Sequence, residues 1–330
     1  MNLVVSVGDI NGIGLECFFK SLSNLKIDLP IYLASNLELL IDYLNKTVCI
    51  FSQDGDFVIY ENHKIKIINV VSDAKIQFGM LDEKSGLHAI NSLKKSVEFI
   101  KNNSDSILLT LPITKKSMHL AGWDFPGHTE FIANEFNVKT PLMILFNSFM
   151  KVALATIHIP ISKVAISINE ELIEQISNIF ASSLQNDFNI QIPNIAVLGL
   201  NPHSGENNSI GFEETQIIIP AIKKINIQNQ SKFVLHGPFP ADGFFAMHDY
   251  KKYDGIIAMY HDQGLIPLKM ADYQNGVNFT AGLPIIRVSP DHGTALNIAG
   301  NGTADYHSTY AAIKSGIEIF NNRNKFRSII

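Results

Sequence analysis

The sequence predicts an α/β protein built around parallel strands, and two observations carry that prediction. Short runs such as Leu3–Val7, the SILLTLPI segment from Ser106 and Gly255–Met259 are apolar almost throughout, with no polar alternation, as expected of strands covered on both faces. Between such runs lie segments of helical period, so strand and helix alternate as in repeated βαβ units. The length of 330 residues predicts about two domains.

In chain order, Leu3–Val7 leads into GDINGIGLE, where Gly8, Gly12 and Gly14 allow a tight loop before a helix near Leu15. The spacing is not the GxGxxG of the common dinucleotide fingerprint, and an ordinary strand-to-helix turn explains it as well as a ligand loop does. Pro30–Ala34 is a second strand, and Leu37–Leu44 a helix with Leu37, Leu40, Ile41 and Leu44 on one face. Val58–Val70 reads as two strands about Glu61, Asn62 and His63, a hairpin on the main sheet. A helix over Ala89–Lys101 carries Ile90, Leu93, Val97 and Ile100 at helical spacing and precedes SILLTLPI. Further on, Gly127 precedes His128, Thr129 and Glu130 at the mouth of another helix, where free N–H groups and the helix dipole favour an anion. A plain helix start capped near Thr129 and Glu130 gives the same pattern.

Leu142–Phe146 and Lys151–Ile157 are two more strands, the second ending at His158 and Pro160, and Glu170–Leu184 is an amphipathic helix. Ile195–Leu200 runs into NPHSGENNSIGFEE, with His203 just past the strand end and a helix from about Glu213. FVLHGPFPADGFF adds a short strand and a loop bearing Asp242. The apolar run Gly255–Met259 stops at Tyr260, His261, Asp262 and Gln263, Gly264 permits a turn, and Lys269 adds a positive charge. Open α/β sheets place ligands beyond the carboxyl ends of strands, where His261 and Asp262 would serve as a metal ligand or proton-transfer group. His158, His203 and His261 together would supply three imidazoles suited to a divalent transition metal with open positions. Spacing alone does not bring them together, and the chain has 11 histidines. Finally, LPIIRVS puts Arg287 near a strand end, where it can hold a carboxylate or phosphate through paired N–H donors; a surface ion pair is the plainer use. Asp291, His292 and Gly293 open a glycine-rich loop reaching Gly302, and a helix over about Tyr306–Phe320 closes the chain.

A hydrophobic fraction of 46% against 17% charged residues describes a globular chain with a sizeable core, and no charged or low-complexity tract argues for disorder. The net charge of −5 and pI near 6.1 argue against nucleic-acid or anionic-membrane partners. Cys17 and Cys49 form no CxxC pair and read as reduced, partly buried thiols. The opening MNLVVSVGD reads as a strand and not a signal peptide, and no run approaches the ~20 apolar residues that span a bilayer, so a soluble, cytoplasmic protein is expected.

In combination the motifs GDINGIGLE, LPITKKS, GHTEFIA, LNPHSGENNSIGFEE, GPFPADGFF, AMYHDQGLIPLK and VNFTAGLPIIRVSPDHGTALNIAGNGTAD resemble the 4-hydroxythreonine-4-phosphate dehydrogenase family, oxidoreductases of pyridoxal phosphate biosynthesis. The resemblance implies two α/β/α domains around a cleft, as in isocitrate and isopropylmalate dehydrogenases. Residues 1–135 with about 300–330 would form the first, and 136–299 the second, carrying the metal ligands and the interface of a homodimer. It implies a divalent metal (zinc, magnesium or cobalt) on His158, His203 and His261, with ligands shared between subunits. Substrate contacts fall on His128, Thr129, Lys269, Asn278 and Arg287. NAD or NADP would lie along Asp291, His292, Gly293, Asn297 and Gly300, with Asp242 and Asp262 as proton-transfer or ligand-orienting groups. The implied reaction is oxidation of 4-phosphooxy-L-threonine and loss of CO₂ to 3-amino-2-oxopropyl phosphate. Readings kept beside it are a dehydrogenase of threonate or erythronate 4-phosphate, a metal-dependent hydrolase and a noncatalytic metal-binding protein. The chain departs from the family pattern at Ile10 and Leu15 (usually proline), Thr114 (usually Asn), and Gly243 and Val288 (usually Thr).

Overall fold

The computed structural model describes residues 1–47 and 50–327, so Cys49 lies outside the described residues. Its strands are β1 (Asn2–Ser6), β2 (Ile31–Ser35), β3 (Phe51–Asp54), β4 (Phe57–Tyr60), β5 (His63–Asn69), β6 (Ser106–Thr110), β7 (Leu142–Phe146), β8 (Lys151–Leu154), β9 (Asn194–Leu198), β10 (Val234–Phe239), β11 (Gly255–Ala258), β12 (Val277–Ala281) and β13 (Ile286–Pro290). The chain divides into two compact units, Met1–Pro141 with Leu283–Ile317, and Leu142–Gly282 with Glu318–Ile330. The chain returns to the first unit at Leu283, earlier than the expected residue 300. The reason is that β13 pairs in parallel with β6, setting Arg287 opposite Leu108. The closing segment goes with the second unit, where Arg323 Nε donates to Asp187 Oδ1 at 2.5 Å and Asn322 Nδ2 to the Asp187 carbonyl at 2.8 Å.

In the first unit the strand order is β13-β6-β1-β2-β5-β4-β3. The pairings from β13 to β5 are parallel, and β5-β4-β3 is an antiparallel extension, one strand longer than the expected hairpin. Helix Glu83–Asn102 buries Ile90, Leu93 and Val97 against Val4 and Leu108. It starts ahead of the predicted Ala89 because the Asp82 carboxylate accepts the Ser85 amide at 3.0 Å, an N-cap. Because β1, β6 and β13 are neighbours running the same way, their carboxyl ends deliver GDINGIG, PITKK and SPDHGT to one edge of the sheet. Packing at that edge explains two glycines of the first loop. A Cβ on Gly8, whose φ is +69°, would lie 2.3 Å from the Pro112 carbonyl, and one on Gly12 would lie 2.8 Å from the Thr294 carbonyl. Ile10 and Leu15, which replace prolines, are buried apolar side chains. Cys17 is buried too, and burial pushes its thiol up to about 12, so it is inert.

In the second unit the order is β10-β9-β11-β8-β7-β12, parallel from β10 to β8 and antiparallel from β8 to β12. Val152, Leu154, Ala196, Leu198, Ile256 and Ala258 form its core. The neighbours β9, β11 and β8 therefore release His203, His261 and His158 from adjacent carboxyl ends. Two local expectations change. His261 opens a helix, His261–Ala271, so Gly264 makes no turn. Its Cβ would lie 2.6 Å from Val152 Cγ1 and 3.0 Å from Ala258 Cβ, and glycine is there so that the helix can press onto β8 and β11. The helix expected from Glu213 opens with a π-turn, Glu214–Ile218, before helix Ile219–Gln228, because Pro220 sits in the first turn of the latter and lacks an N–H. Among the described residues no helix is long and apolar enough to cross a membrane.

Candidate active site

Arg287, the second residue of β13 in the first unit and so not at the carboxyl end of its strand, is 3% exposed. Its Nε and Nη2 both donate to Thr110 Oγ1, at 3.0 and 2.7 Å, from the neighbouring strand β6. Nη2 also lies 3.5 Å from Nδ1 of His128, the first residue of helix His128–Glu135. Burial lowers the guanidinium to about 10, partly offset by Glu130. Burial, with Arg287 second, pushes His128 down to about 3, so the imidazole is neutral, and its Nε2 is buried without a hydrogen-bond partner. A buried guanidinium, a neutral imidazole with an unused nitrogen and a helix N-terminus gather N–H groups of the kind that suit a phosphate or carboxylate. Thr129 stands half-buried beside it. Thr110 was not singled out from the sequence; the signal was a hydroxyl closing an otherwise apolar strand.

His128 and the buried His88, which burial pushes down to about 4, carry a pH prediction. Above pH 6.5 both are neutral folded or unfolded and contribute nothing to pH dependence. Below that the unfolded chain takes up protons that the folded chain refuses, so stability falls with pH, by up to about 1.4 kcal/mol per pH unit for each histidine. Urea midpoints between pH 7 and pH 5 should drop in the wild type and drop less in His88→Gln.

The loop after β13 is held rather than loose. The Asp291 amide donates to Ser308 Oγ at 2.8 Å, and His292 Nε2 lies 3.2 Å from Thr309 Oγ1, both hydroxyls on helix His307–Arg327. Thr114 Oγ1 donates to Thr294 Oγ1 at 3.3 Å, so this departure from the family pattern still ties two strand-end loops together. Gly300, with φ +80°, is wedged where a Cβ would lie 2.5 Å from the Phe78 ring. Gly293, Asn297 and Gly300 are exposed, and His292 is half-buried. A cavity of about 790 Å³ lies beside Gly300–Gly302, but its walls are largely apolar and its lysines are engaged, Lys20 with Glu16 and Lys46 with Asp42. Size here does not mark the chemistry.

In the second unit the rings of His158 and His261 lie 5.9 Å apart and line a cleft of about 340 Å³ with Thr156, Tyr260 and Asp262. Asp262 Oδ1 lies 2.7 Å from His261 Nδ1 and, in the tautomer protonated at Nδ1, accepts its hydrogen bond and leaves Nε2 with the lone pair, the arrangement usual for a ligating histidine. Gln263 accepts the Met259 amide and donates to the Gly199 carbonyl, each at 2.7 Å, which fixes the end of β11 to that of β9. Thr156 Oγ1 donates to the Met259 carbonyl at 2.7 Å and fixes β8. Lys269 is exposed on the last turn of its helix, and Asp242 is exposed on the short helix Ala241–Ala246. Asn278, half-buried in β12, has an Oδ1 without a partner.

His203 does not join the pair. Among the described residues no three His, Cys, Asp or Glu side chains form a group able to hold a metal ion. His203 is exposed at the head of a left-handed turn: His203, Ser204, Gly205, Glu206, Asn207 and Asn208 all have φ between 43° and 80°. Left-handed backbone costs L-residues roughly 1–2 kcal/mol each, so a run of six such positions, five of them non-glycine, needs strong outside support. The residues present thus fit a divalent metal in part: two imidazoles and an orienting carboxylate within one chain, and a third imidazole displayed outward.

The family model for pyridoxal phosphate biosynthetic protein PdxA matches residues 30–316 of the chain. The chain belongs to this family. A PdxA-family relative, 4-hydroxythreonine-4-phosphate dehydrogenase of Bacteroides thetaiotaomicron, is 38% identical over 332 residues, covering 97% of this chain and 89% of its own. The crystal structure of 4-hydroxythreonine-4-phosphate dehydrogenase from Klebsiella pneumoniae matches with a TM-score of 0.81 at 30% identity, over 97% of this chain and 99% of that one. Isocitrate dehydrogenase from Methylococcus capsulatus shares the fold alone, with a TM-score of 0.51 at 12% identity over 99% of this chain and 87% of that one. The resemblance carried by the sequence motifs agrees with all three, and the α/β fold class expected from them is the one observed.

Proposed function

We propose that this PdxA-family chain is a nicotinamide-dependent dehydrogenase that oxidises 4-phosphooxy-L-threonine to 2-amino-3-oxo-4-phosphooxybutanoate in pyridoxal phosphate biosynthesis. The β-keto acid then loses CO₂ to give 3-amino-2-oxopropyl phosphate. The observation that carries the reading is the buried cradle of Arg287, Thr110 and His128, suited to an anionic group, in a chain 38% identical to a relative named for this substrate. In the reaction the hydroxyl-bearing carbon gives a hydride to the nicotinamide ring, and the hydroxyl proton leaves to a base. Arg287 binds one anionic end of the substrate through N–H donors while His128 Nε2 and Thr129 add polar contacts. Lys269 and Asn278 are assigned further substrate contacts. NAD or NADP lies along Asp291, His292, Gly293, Asn297 and Gly300.

His158, His203 and His261 are the proposed ligands of one divalent ion, zinc, magnesium or cobalt; loaded, the centre supplies Lewis-acid activation of a hydroxyl and stabilisation of negative charge. Asp262 orients His261, and Asp242 is kept as the other carboxylate assigned to proton transfer or ligand orientation. Homodimerisation is part of the reading. The second unit exposes Ile161, Ile166, Ile266, Met270 and Tyr273, large apolar side chains that a partner surface would cover, and the in-chain pair His158 and His261 needs a third ligand. The centre then draws on both copies, with the His261 and His203 of one centre coming from different copies.

The test is appearance of reduced nicotinamide with 4-phosphooxy-L-threonine, run with NAD⁺ and NADP⁺ and against threonate 4-phosphate, which lacks the amino group. Turnover of the amino substrate with release of CO₂ is expected. Faster turnover of threonate 4-phosphate would move the enzyme to a sugar-acid pathway, and turnover without nicotinamide would overturn the dehydrogenase.

A further inference from the structure

We infer that Glu214 is the positioning residue for His203, holding a left-handed turn that would otherwise unwind. The inference rests on the three-histidine reading above. Glu214 is 0% exposed, and its charge is met by N–H donors alone: Oε1 accepts the Leu200 and Asn201 amides, both at 2.7 Å, and Oε2 accepts Asn201 Nδ2 at 2.9 Å. Glu213 Oε2 takes the same Asn201 side chain at 2.7 Å. The carboxylate therefore grips the chain at Leu200 and Asn201, one residue ahead of the left-handed turn. The backbone closes round it on the other sides. A Cβ on Gly205, inside the turn, would lie 2.7 Å from Glu214 Oε2, and one on Gly211, past its end, would lie 2.2 Å from Asn201 Nδ2.

Such a grip is specific to a carboxylate at this place. A buried carboxylate without a cation is costly unless its oxygens are filled by donors, and the amides of Leu200 and Asn201 would in turn be orphaned without it. The π-turn Glu214–Ile218 begins on this residue. The entry amides are thus fastened to one side chain, Gly205 packs on the same carboxylate, Gly211 packs on Asn201, and His203 follows the fastened Asn201 after Pro202 alone. Ligand affinity at a metal site typically falls about 10–100-fold when the group orienting a ligand is removed.

The experiment measures Zn²⁺ affinity by chelator competition on the full-length dimer, together with the visible spectrum of the Co²⁺-loaded protein and the melting temperature without metal. The variants are His203→Ala, Glu214→Ala, Glu214→Gln, Asn207→Gly and Glu214→Ala with Asn207→Gly. Asn207, at φ 52°, is a left-handed position at which glycine lowers the cost of the turn. Expected are a loss of about 10–100-fold in Glu214→Ala, a smaller loss in Glu214→Gln, which keeps an acceptor for both amides, near wild-type affinity in Asn207→Gly, and partial recovery in the double variant. The cobalt spectrum of Glu214→Ala should shift toward that of His203→Ala. A lower melting temperature with unchanged affinity and spectrum in both Glu214 variants would make the residue merely structural and overturn the inference, leaving the metal centre intact. Absence of recovery on adding Asn207→Gly would overturn the route through the turn. Unchanged affinity in His203→Ala would remove the metal reading and this inference together. Should Glu214→Ala fail to fold, Glu214→Gln alone and with Asn207→Gly decides by the same criteria.

Discussion

Replacing Arg287 with alanine is expected to lower kcat/KM for 4-phosphooxy-L-threonine by roughly 30-fold to several thousand-fold. The estimate follows from the cost of about 2–5 kcal/mol for truncating one side of a buried, hydrogen-bonded charge pair, at about 1.4 kcal/mol per factor of ten. Arg287 has the features that place it at the upper end. It is buried, Thr110 Oγ1 fixes its plane through two donors, and burial holds its pKa down to about 10, which means that an arriving anion relieves an existing penalty. Lysine keeps the charge but not the fork, so Arg287→Lys should fall between the two. Arg287→Met separates binding from folding: it fills much of the same volume without a charge, and should keep the melting temperature near wild type while losing activity as alanine does. Normal kcat/KM in Arg287→Met would remove the residue from the substrate site.

Much of the scaffold was legible because parallel strands announce themselves as unbroken apolar runs. Leu3–Val7, the SILLTLPI segment from Ser106 and Gly255–Met259 became β1, β6 and β11, the second ending three residues early at Thr110. Strand partners were less legible. Nothing local says that β13 pairs with β6, yet that pairing puts Arg287 against Thr110, 177 positions away. Glycine was the least reliable guide. Gly264 has a turn-former's sequence context but lies in a helix, where close packing against Val152 is the constraint. Glu214 was missed for a related reason: one of two glutamates before a helix ordinarily faces water, and only the fold shows that it is buried under amide donors. Among the candidate ligands, strand order brings His158 and His261 together, and the left-handed turn turns His203 outward.

That outward histidine carries the second large prediction. On the proposed three-histidine site, His261→Ala and His203→Ala, each purified alone, should lose tightly bound divalent metal, read as zinc, and drop dehydrogenase activity on the order of 100-fold, since each would remove one of the three proposed ligands. The two variants differ in what happens on mixing. In a symmetric dimer whose centres take His261 from one copy and His203 from the other, a mixed dimer has one doubly defective centre and one intact centre. The most direct measurement is therefore zinc content and nicotinamide reduction in an equal mixture of the two variants after subunit exchange, with differently tagged copies to show that mixed dimers form. About a quarter of wild-type zinc and activity should return, because half of the dimers are mixed and half of their centres are whole. Mixed dimers that form and recover neither zinc nor activity would contradict a centre shared between two copies.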